Sequence, residues 1–126
     1  MIVGIGIDLV EVARMAKALR ERGERFEERV FTPAERAECR DRADRVQALA
    51  ARFAAKEACL KALGTGWSGG VAFRQVAVVR GAGGAPQIRL EGMAEARARA
   101  LGVLRIHVSL THEPGAAAAV VILEGS

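Results

Sequence analysis

Alternating apolar positions mark the first segment of the chain. Four apolar side chains share one face of a strand predicted over residues 1–10: Val3, Ile5, Ile7 and Leu9. Gly4, Gly6 and Asp8 fall on the opposite face, so a carboxylate stands on a face that otherwise has no side chains. Residues 11–22 then have helical character.

Two further helices have clear start or stop signals. Thr32 is a cap residue, Pro33 suits the first turn and Glu35 completes a capping box, which predicts a helix from there to residue 41. Asp44 can cap the next helix, which ends at Gly64 in a left-handed exit turn. That helix, about 20 residues and ~30 Å long, turns five apolar side chains towards a core: Val46, Leu49, Phe53, Leu60 and Leu63.

The second half of the chain has mainly the patterns of strands. Four strands and one short helix are predicted there: residues 71–79, 87–90, 103–110 and 117–123 as strands, and 93–101 as the helix. A glycine-rich loop over residues 80–86 joins the first two strands, and Pro114-Gly115 forms the turn of a hairpin between the last two. Because strands and helices do not alternate as βαβ units, we expect one α+β domain over residues 1–126, with a mostly antiparallel sheet packed against helices.

Composition limits the partners and the compartment. The 126 residues carry a formal net charge of +4, which favours anionic partners: nucleic acid, phosphorylated small molecules or an acidic protein. The longest apolar run, residues 116–123, is too short to cross a bilayer and the first residues lack a signal-peptide pattern, so no membrane association is expected. Cys39 and Cys59 are isolated, which predicts two reduced thiols in a cytoplasmic protein.

Asp8 is the first candidate functional residue. Because its strand face otherwise carries only glycines, we interpret it as part of a metal or phosphate site beside bare backbone. The structural alternative is a carboxylate that caps the helix beginning near Glu11.

A second candidate set lies on the long helix. Phe53, Glu57 and Lys61 follow one another at intervals of four residues and share one helix face. The functional interpretation is a metal-binding carboxylate with a cation one turn away. The alternative is a surface Glu–Lys pair beside the core.

The segment from His107 to His112 forms a third set. Alternation puts His107, Ser109 and Thr111 on one strand face, with His112 at the strand end. No cysteine or second close histidine indicates zinc, and no nucleophile elbow indicates a hydrolase. The glycine-rich segments also lack the Gly-Lys-Ser/Thr of a phosphate-binding Walker motif.

Together these segments resemble the 4'-phosphopantetheinyl transferases. Three motifs in that family's order carry the resemblance: Gly4-Ile5-Gly6-Ile7-Asp8, then Arg52-Phe53-Ala54-Ala55-Lys56-Glu57-Ala58 with Lys61-Ala62-Leu63-Gly64-Thr65-Gly66, then Val108-Ser109-Leu110-Thr111-His112. The central motif is the most specific, and the resemblance spans nearly all of the chain. The length is similar to the short single-domain type, the holo-[acyl-carrier-protein] synthases. Residues 39–48 and the loop near Trp67 follow no strong pattern of the family.

The resemblance implies an activity and a metal site. Such enzymes transfer the 4'-phosphopantetheine group of coenzyme A to a serine of apo-acyl carrier protein, release adenosine 3',5'-bisphosphate, and support fatty acid or polyketide synthesis. Asp8 and Glu57 are thereby expected to hold one magnesium ion that also binds the pyrophosphate, while Lys61 steadies or protonates the leaving phosphate. The residue types agree, because magnesium is typically held by one or two carboxylates, phosphate oxygens and water. Without a cation, each close pair of carboxylate and phosphate charges would repel by about 4 kcal/mol.

The resemblance also implies binding residues and an assembly. Five residues are expected to contact coenzyme A: Arg52, Lys61, Gly64, Ser109 and His112. Because the short enzymes of the family are homotrimers with active sites between subunits, the loop around Gly84 and Pro86 is expected to help form the adenine pocket. Either Glu57 or a metal-bound water could be the base that takes the serine proton. We rank Glu57 first as a metal ligand and second as the base.

Basic residues near the N-terminus form a candidate surface for the acidic carrier protein. Arg14, Arg25 and Arg29 would align on one continuous helix, provided that Gly23 does not break it. A basic stripe of this kind steers encounter with an acidic partner and sets its register. The alternative is a solvated face in which acidic residues are interspersed: Glu21, Glu24 and Glu28.

Two other functions agree with part of the sequence. A small nucleic-acid-binding module agrees with the pI of about 9.8, but acidic residues interrupt the basic ones and the few aromatics form no stacking platform, so no nucleic-acid partner is expected. A transferase dedicated to a polyketide or peptide synthase carrier would have the same site chemistry, and it stays open.

Overall fold

The computed structural model describes residues 1–66 and 68–126, so the prediction made for the loop near Trp67 lies partly outside the described residues. Its elements follow the chain in this order: β1 (Ile2–Glu11), α1 (Val12–Val30), α2 (Pro33–Cys39), α3 (Arg45–Leu63), β2 (Val76–Arg80), β3 (Pro86–Leu90), α4 (Gly92–Ala100), β4 (Val103–His112) and β5 (Ala116–Gly125). The strands form an antiparallel sheet of order β1-β5-β4 and a separate β2-β3 hairpin. The predicted α+β class with antiparallel pairing is confirmed.

Helix α3 is the centre of the core. Between Ala48 and Leu63 every residue is buried except Phe53, Glu57 and Lys61. The sheet strands β1 and β5 pack on this helix, and the inward-facing residues of β5 are fully or almost fully buried. An alanine-rich helix can approach a sheet closely because its side chains are short. The narrow stripe at intervals of four residues is therefore the place where the central helix opens to the surface.

Helix α1 is longer than predicted and is interrupted. Gly23 has φ 62° and ψ −147°, which is not a helical conformation, and a second helical segment continues from there to Val30. The condition set for the arginine alignment is therefore not met, because glycine readily adopts the positive φ that breaks the helix.

The start of α2 confirms the predicted capping box and gives Glu35 a second role. The Glu35 amide donates to Thr32 Oγ1 at 3.2 Å, and the Thr32 amide donates to Glu35 Oε1 at 2.8 Å. The same Glu35 carboxylate is fully buried and forms an ion pair with Lys56 Nζ at 2.7 Å. Lys56 also donates to the carbonyls of Phe73 and Val76. The buried cation thus joins α3 to α2 and to the start of β2.

Several predicted boundaries are corrected. Strand β2 begins at Val76, not at residue 71, because residues 73–75 form a 3-10 turn whose Phe73 carbonyl accepts from Lys56. Asp44 precedes α3 without capping it through its side chain, since the carboxylate accepts two hydrogen bonds from Arg42 at 2.8 and 2.9 Å.

The two cysteines are free and buried, as predicted for unpaired thiols. Burial raises the pKa of the Cys59 thiol to about 12, so this thiol is protonated at neutral pH. Among the described helices, none combines the length and apolarity that a bilayer span requires.

Candidate active site

Strand β1 lies directly on α3 because of its two glycines. A Cβ atom at Gly4 would lie 2.3 Å from the Ala62 carbonyl oxygen, and one at Gly6 would lie 1.9 Å from that of Ala58. Neither position has room for any side chain. The interpretation of the glycine face as open space for a ligand is therefore wrong: α3 occupies that space, and the close approach sets Asp8 beside the helix.

Asp8 and Lys61 meet across this contact. Lys61 Nζ donates to Asp8 Oδ1 at 3.0 Å and to the Ile7 carbonyl at 3.0 Å. The Asp8 side chain is 16% exposed and that of Lys61 is 52% exposed, so the pair lies at the protein surface with its carboxylate in the more sheltered position. Asp8 therefore binds the central helix, and the alternative in which it caps α1 is not what the structure shows.

Glu57 completes this group from the same stripe of α3. Burial raises the pKa of its carboxyl group, the negative charge of Asp8 raises that pKa further, and the positive charge of Lys61 opposes the shift. Two carboxylates and one ammonium group thus share one electrostatic environment. The spacing predicted that Glu57 and Lys61 share a helix face, whereas the presence of Asp8 beside them was implied by the family resemblance. Burial is the larger cause of the raised pKa of Glu57, and the smaller contribution from the Asp8 charge is the part that a nearby cation would oppose.

Gly64 ends α3 as predicted and lies one turn beyond Lys61. Its φ of 76° and ψ of 11° are left-handed, and its amide donates to the carbonyls of Leu60 and Lys61. The Arg97 guanidinium donates to the neighbouring Leu63 carbonyl at 2.9 Å, so α4 holds the end of α3 in place.

A second group of predicted residues lines a separate pocket. Arg52, Pro86 and His112 face it together with three residues that the sequence interpretation missed: Glu38, Arg42 and Arg80. Gly84 belongs to the edge of this pocket, because Arg80 Nη1 donates to its carbonyl at 3.0 Å. The described lining includes none of Asp8, Glu57 and Lys61. One chain therefore presents the predicted site as two distinct halves.

His112 is held within this pocket by α3. Its Nδ1 lies 2.9 Å from Gln47 Oε1, and its Nε2 lies 3.7 Å from Asp44 Oδ2. Ser109 is three residues earlier on β4, so its side chain projects to the other face of the strand. The structure does not bring Ser109 and His112 together within one chain.

The outer face of the sheet is apolar at β1. Ile5, Ile7 and Leu9 are 63, 68 and 70% exposed, although they are the predicted apolar face of the first strand. In the antiparallel pairing of β1 with β5 they lie opposite Ile122, Val120 and Ala118, respectively. The side of β1 that packs on its own chain is the glycine side.

The basic residues of α1 are exposed, but not on one continuous helix. Arg14 precedes the break at Gly23, and Arg25 and Arg29 follow it. The predicted alignment of the three is therefore wrong in its geometry. Within the described residues none of these three arginines is in an ion pair. Three acidic side chains of α1 instead lie 3.6–3.9 Å from the guanidinium of Arg36 on α2: Glu24, Glu27 and Glu28.

The signals for the missed residues are weak in the sequence. Lys56 stands among alanines on a buried helix, which is unusual for a lysine and indicates a buried partner. Glu38 and Arg80 are surface-type residues in their local patterns, and only the tertiary fold brings them to Arg52.

Comparisons with known proteins identify the family of the chain. The profile of the 4'-phosphopantetheinyl transferase superfamily matches residues 4–121. The holo-[acyl-carrier-protein] synthase of Anaeromyxobacter dehalogenans (strain 2CP-1) is 55% identical over 129 residues, which cover 100% of this chain and 98% of the relative. That of Methylobacterium sp. (strain 4-46) is 53% identical, covering 98% of this chain and 95% of the relative.

Solved structures are similar over almost the whole length. The crystal structure of the Neisseria meningitidis synthase has a TM-score of 0.89 at 35% identity and covers 98% of this chain and 99% of its own. The Helicobacter pylori synthase in complex with coenzyme A has a TM-score of 0.83 at 32% identity and covers 95% and 99%. Since the family profile matches nearly the entire chain and the matches cover nearly all of each relative, the protein belongs to the 4'-phosphopantetheinyl transferase superfamily, among the short holo-[acyl-carrier-protein] synthases.

Proposed function

We propose that this chain transfers the 4'-phosphopantetheine group of coenzyme A to a serine of apo-acyl carrier protein, giving the holo-carrier and adenosine 3',5'-bisphosphate. The observation that carries the proposal is the meeting of Asp8, Glu57 and Lys61 where β1 packs on α3. Family membership and the coenzyme A bound to the H. pylori relative support the choice of substrate. The proposed role is in fatty acid or polyketide synthesis in the cytoplasm.

The residues present fit a magnesium ion. Asp8 and Glu57 offer hard carboxylate oxygens that interact electrostatically with each other. Such a two-carboxylate set suits magnesium, which usually completes its shell with substrate phosphates and waters. Asp8 and Glu57 would hold the ion, and the ion would supply charge neutralisation for the coenzyme A pyrophosphate.

The protein side chains have separate tasks in the transfer. The serine oxygen of the carrier forms a bond to the β-phosphorus, and the bond from that phosphorus to the bridging oxygen breaks, so adenosine 3',5'-bisphosphate leaves. Lys61, half-exposed at the surface of the site, is placed to steady or protonate the leaving phosphate. Glu57 is the side chain available to take the serine proton when it is not needed as a ligand, and its raised pKa favours proton acceptance.

The separation of the Arg52 pocket from the carboxylates supports a proposal that several copies of the chain assemble. The pocket lined by Arg52, Pro86 and His112 is separate from the carboxylates, whereas one coenzyme A molecule would contact both groups. The exposed apolar residues on β1 offer a surface for another copy of the chain. We therefore propose a homotrimer in which each active site combines the carboxylate half of one subunit with the pocket of its neighbour, and in which Gly64 and Ser109 also contact the coenzyme.

The exposed arginines of α1 remain the proposed surface for the acidic carrier. Arg14, Arg25 and Arg29 are free to meet carboxylates of a partner, and their separation by the break at Gly23 assigns them to two helical segments. Charge complementarity of this kind acts mainly on the association rate and the salt dependence of binding.

Mass spectrometry tests the proposed reaction. Apo-acyl carrier protein incubated with this protein, coenzyme A and magnesium should gain the mass of one phosphopantetheine, and a serine-to-alanine carrier should gain none. Asp41→Ala, which removes an exposed carboxylate outside the site, is the matched control for Asp8→Ala, which should abolish the transfer. A carrier that keeps its mass with the wild-type protein would refute the proposed function.

A further inference from the structure

The pocket around Arg52 contains its own carboxylate. Glu38 Oε2 accepts from Arg52 Nη2 at 3.0 Å, and Glu38 Oε1 accepts from Arg80 Nε at 3.1 Å. One carboxylate therefore joins two guanidinium groups that belong to different elements, α3 and β2. Hydrogen bonds between charged partners are the strong ones, so this bridge competes with any anion for the same donors.

Arg52 has the character of a ligand-binding group. It is only 6% exposed, and its Nη1 donates to the Ala48 carbonyl at 3.2 Å. Its Nε is buried and has no hydrogen-bond partner among the described residues. A buried donor without a partner costs free energy in the folded protein, and a ligand that accepts a hydrogen bond from Arg52 Nε would remove that cost.

The three partners differ in their freedom to move. Arg52 is enclosed by the core, whereas the side chains of Glu38 and Arg80 are 36% and 53% exposed. The partly exposed Glu38 can turn towards water once another anion takes over its hydrogen bonds, but Arg52 cannot leave the pocket. Arg42, which also lines the pocket, already forms an ion pair with Asp44. Glu38 is therefore the carboxylate that pairs with the other two guanidinium groups of the pocket, those of Arg52 and Arg80.

We propose that the Glu38 carboxylate occupies the phosphate site of the pocket when no nucleotide is bound. A nucleotide phosphate of coenzyme A displaces this carboxylate from Arg52 and Arg80, and the carboxylate returns to them when the bisphosphate product leaves. This inference rests on the proposed function and adds a residue that sets nucleotide affinity. Returning to Arg52 and Arg80, the carboxylate competes with the product and speeds its release. Because release steps limit the turnover of many enzymes, a built-in competitor has a clear use.

Calorimetry with adenosine 3',5'-bisphosphate, without magnesium, tests the proposal on the full-length protein. Glu38→Gln removes the charge but keeps the shape, and it should bind the bisphosphate about tenfold more tightly than the wild type. Glu38→Ala should shift the affinity in the same direction. The matched control is Glu95→Gln, which removes a charge from an exposed ion pair with Arg99 and should change the affinity by less than about twofold.

Three results would overturn the proposal. Unchanged or weaker binding by both Glu38 variants would show that the carboxylate holds Arg52 and Arg80 in place for the ligand. An equal gain in bisphosphate affinity in Glu95→Gln would show that the effect comes from the overall charge of the protein. If neither the wild type nor any variant binds the bisphosphate, the nucleotide does not bind in this pocket. Failure of the proposed function is distinguishable, because the tighter binding of Glu38→Gln would then be seen with no mass added to the carrier.

Discussion

Replacing Gly6 by alanine should destroy the site without touching any of its reacting groups. The new Cβ atom would lie 1.9 Å from the Ala58 carbonyl oxygen and 2.9 Å from the Ala62 amide nitrogen. Both contacts are with backbone, which no side-chain rotation can relieve. Strand β1 would have to separate from α3 by about 1 Å or more to reach ordinary contact distances.

That separation sets the expected magnitudes. Overpacking against a rigid backbone should lower the free energy of unfolding by about 3 kcal/mol. Asp8 lies two residues beyond Gly6 on the same strand, so its carboxylate would move away from Lys61 and Glu57. A displacement of about 1 Å in a catalytic group can lower the rate by about a hundredfold.

Urea denaturation and the carrier-transfer assay measure the two effects. Gly115→Ala is the matched control, since its nearest neighbour to a new Cβ is Glu113 Oε1 at 3.9 Å and its φ is not left-handed. That variant should unfold within about 0.5 kcal/mol of the wild type and keep its activity. A Gly6→Ala protein with wild-type stability and transfer rate would refute the close packing of β1 on α3.

Three further predictions concern single side chains. Lys56→Met should lower the free energy of unfolding by about 3–5 kcal/mol, because it leaves the buried Glu35 carboxylate without its cation; a loss below about 1 kcal/mol in urea denaturation would contradict the buried pair. Lys61→Ala should lower kcat more than coenzyme A affinity in steady-state kinetics, whereas a pure affinity loss would reassign it to binding. Arg14→Glu should raise the KM for the carrier protein and leave coenzyme A binding intact, with Arg99→Glu on α4 as the control; an unchanged KM would remove Arg14 from the interface.

The sequence was sufficient to predict the structure where interactions between residues close in the chain determine it. Thr32 and Glu35 form the predicted capping box, and Gly64 ends α3 in the left-handed conformation. Both features depend on hydrogen bonds within a few residues, which local residue types encode directly. The spacing of Glu57 and Lys61 likewise placed both on the one open stripe of α3, because helical periodicity fixes which residues share a face.

The sequence was insufficient where contacts join distant segments. Alternation identified the two faces of β1, but the glycine face packs on α3 while Ile7 and Leu9 stay exposed. A pattern shows which residues share a face, not whether that face meets its own chain or another. In the same way, the capping role of Glu35 was readable, whereas its buried pair with Lys56 required the packing of α2 on α3.

Magnesium binding by the paired carboxylates is measured most directly by calorimetry in the presence of coenzyme A. The wild-type protein should bind one magnesium ion per chain, and so should the control Asp41→Ala, which removes an exposed carboxylate outside the site. Asp8→Ala and Glu57→Ala should each lose that binding. Retention of the site in either active-site variant, with wild-type affinity, would contradict a metal shared by Asp8 and Glu57.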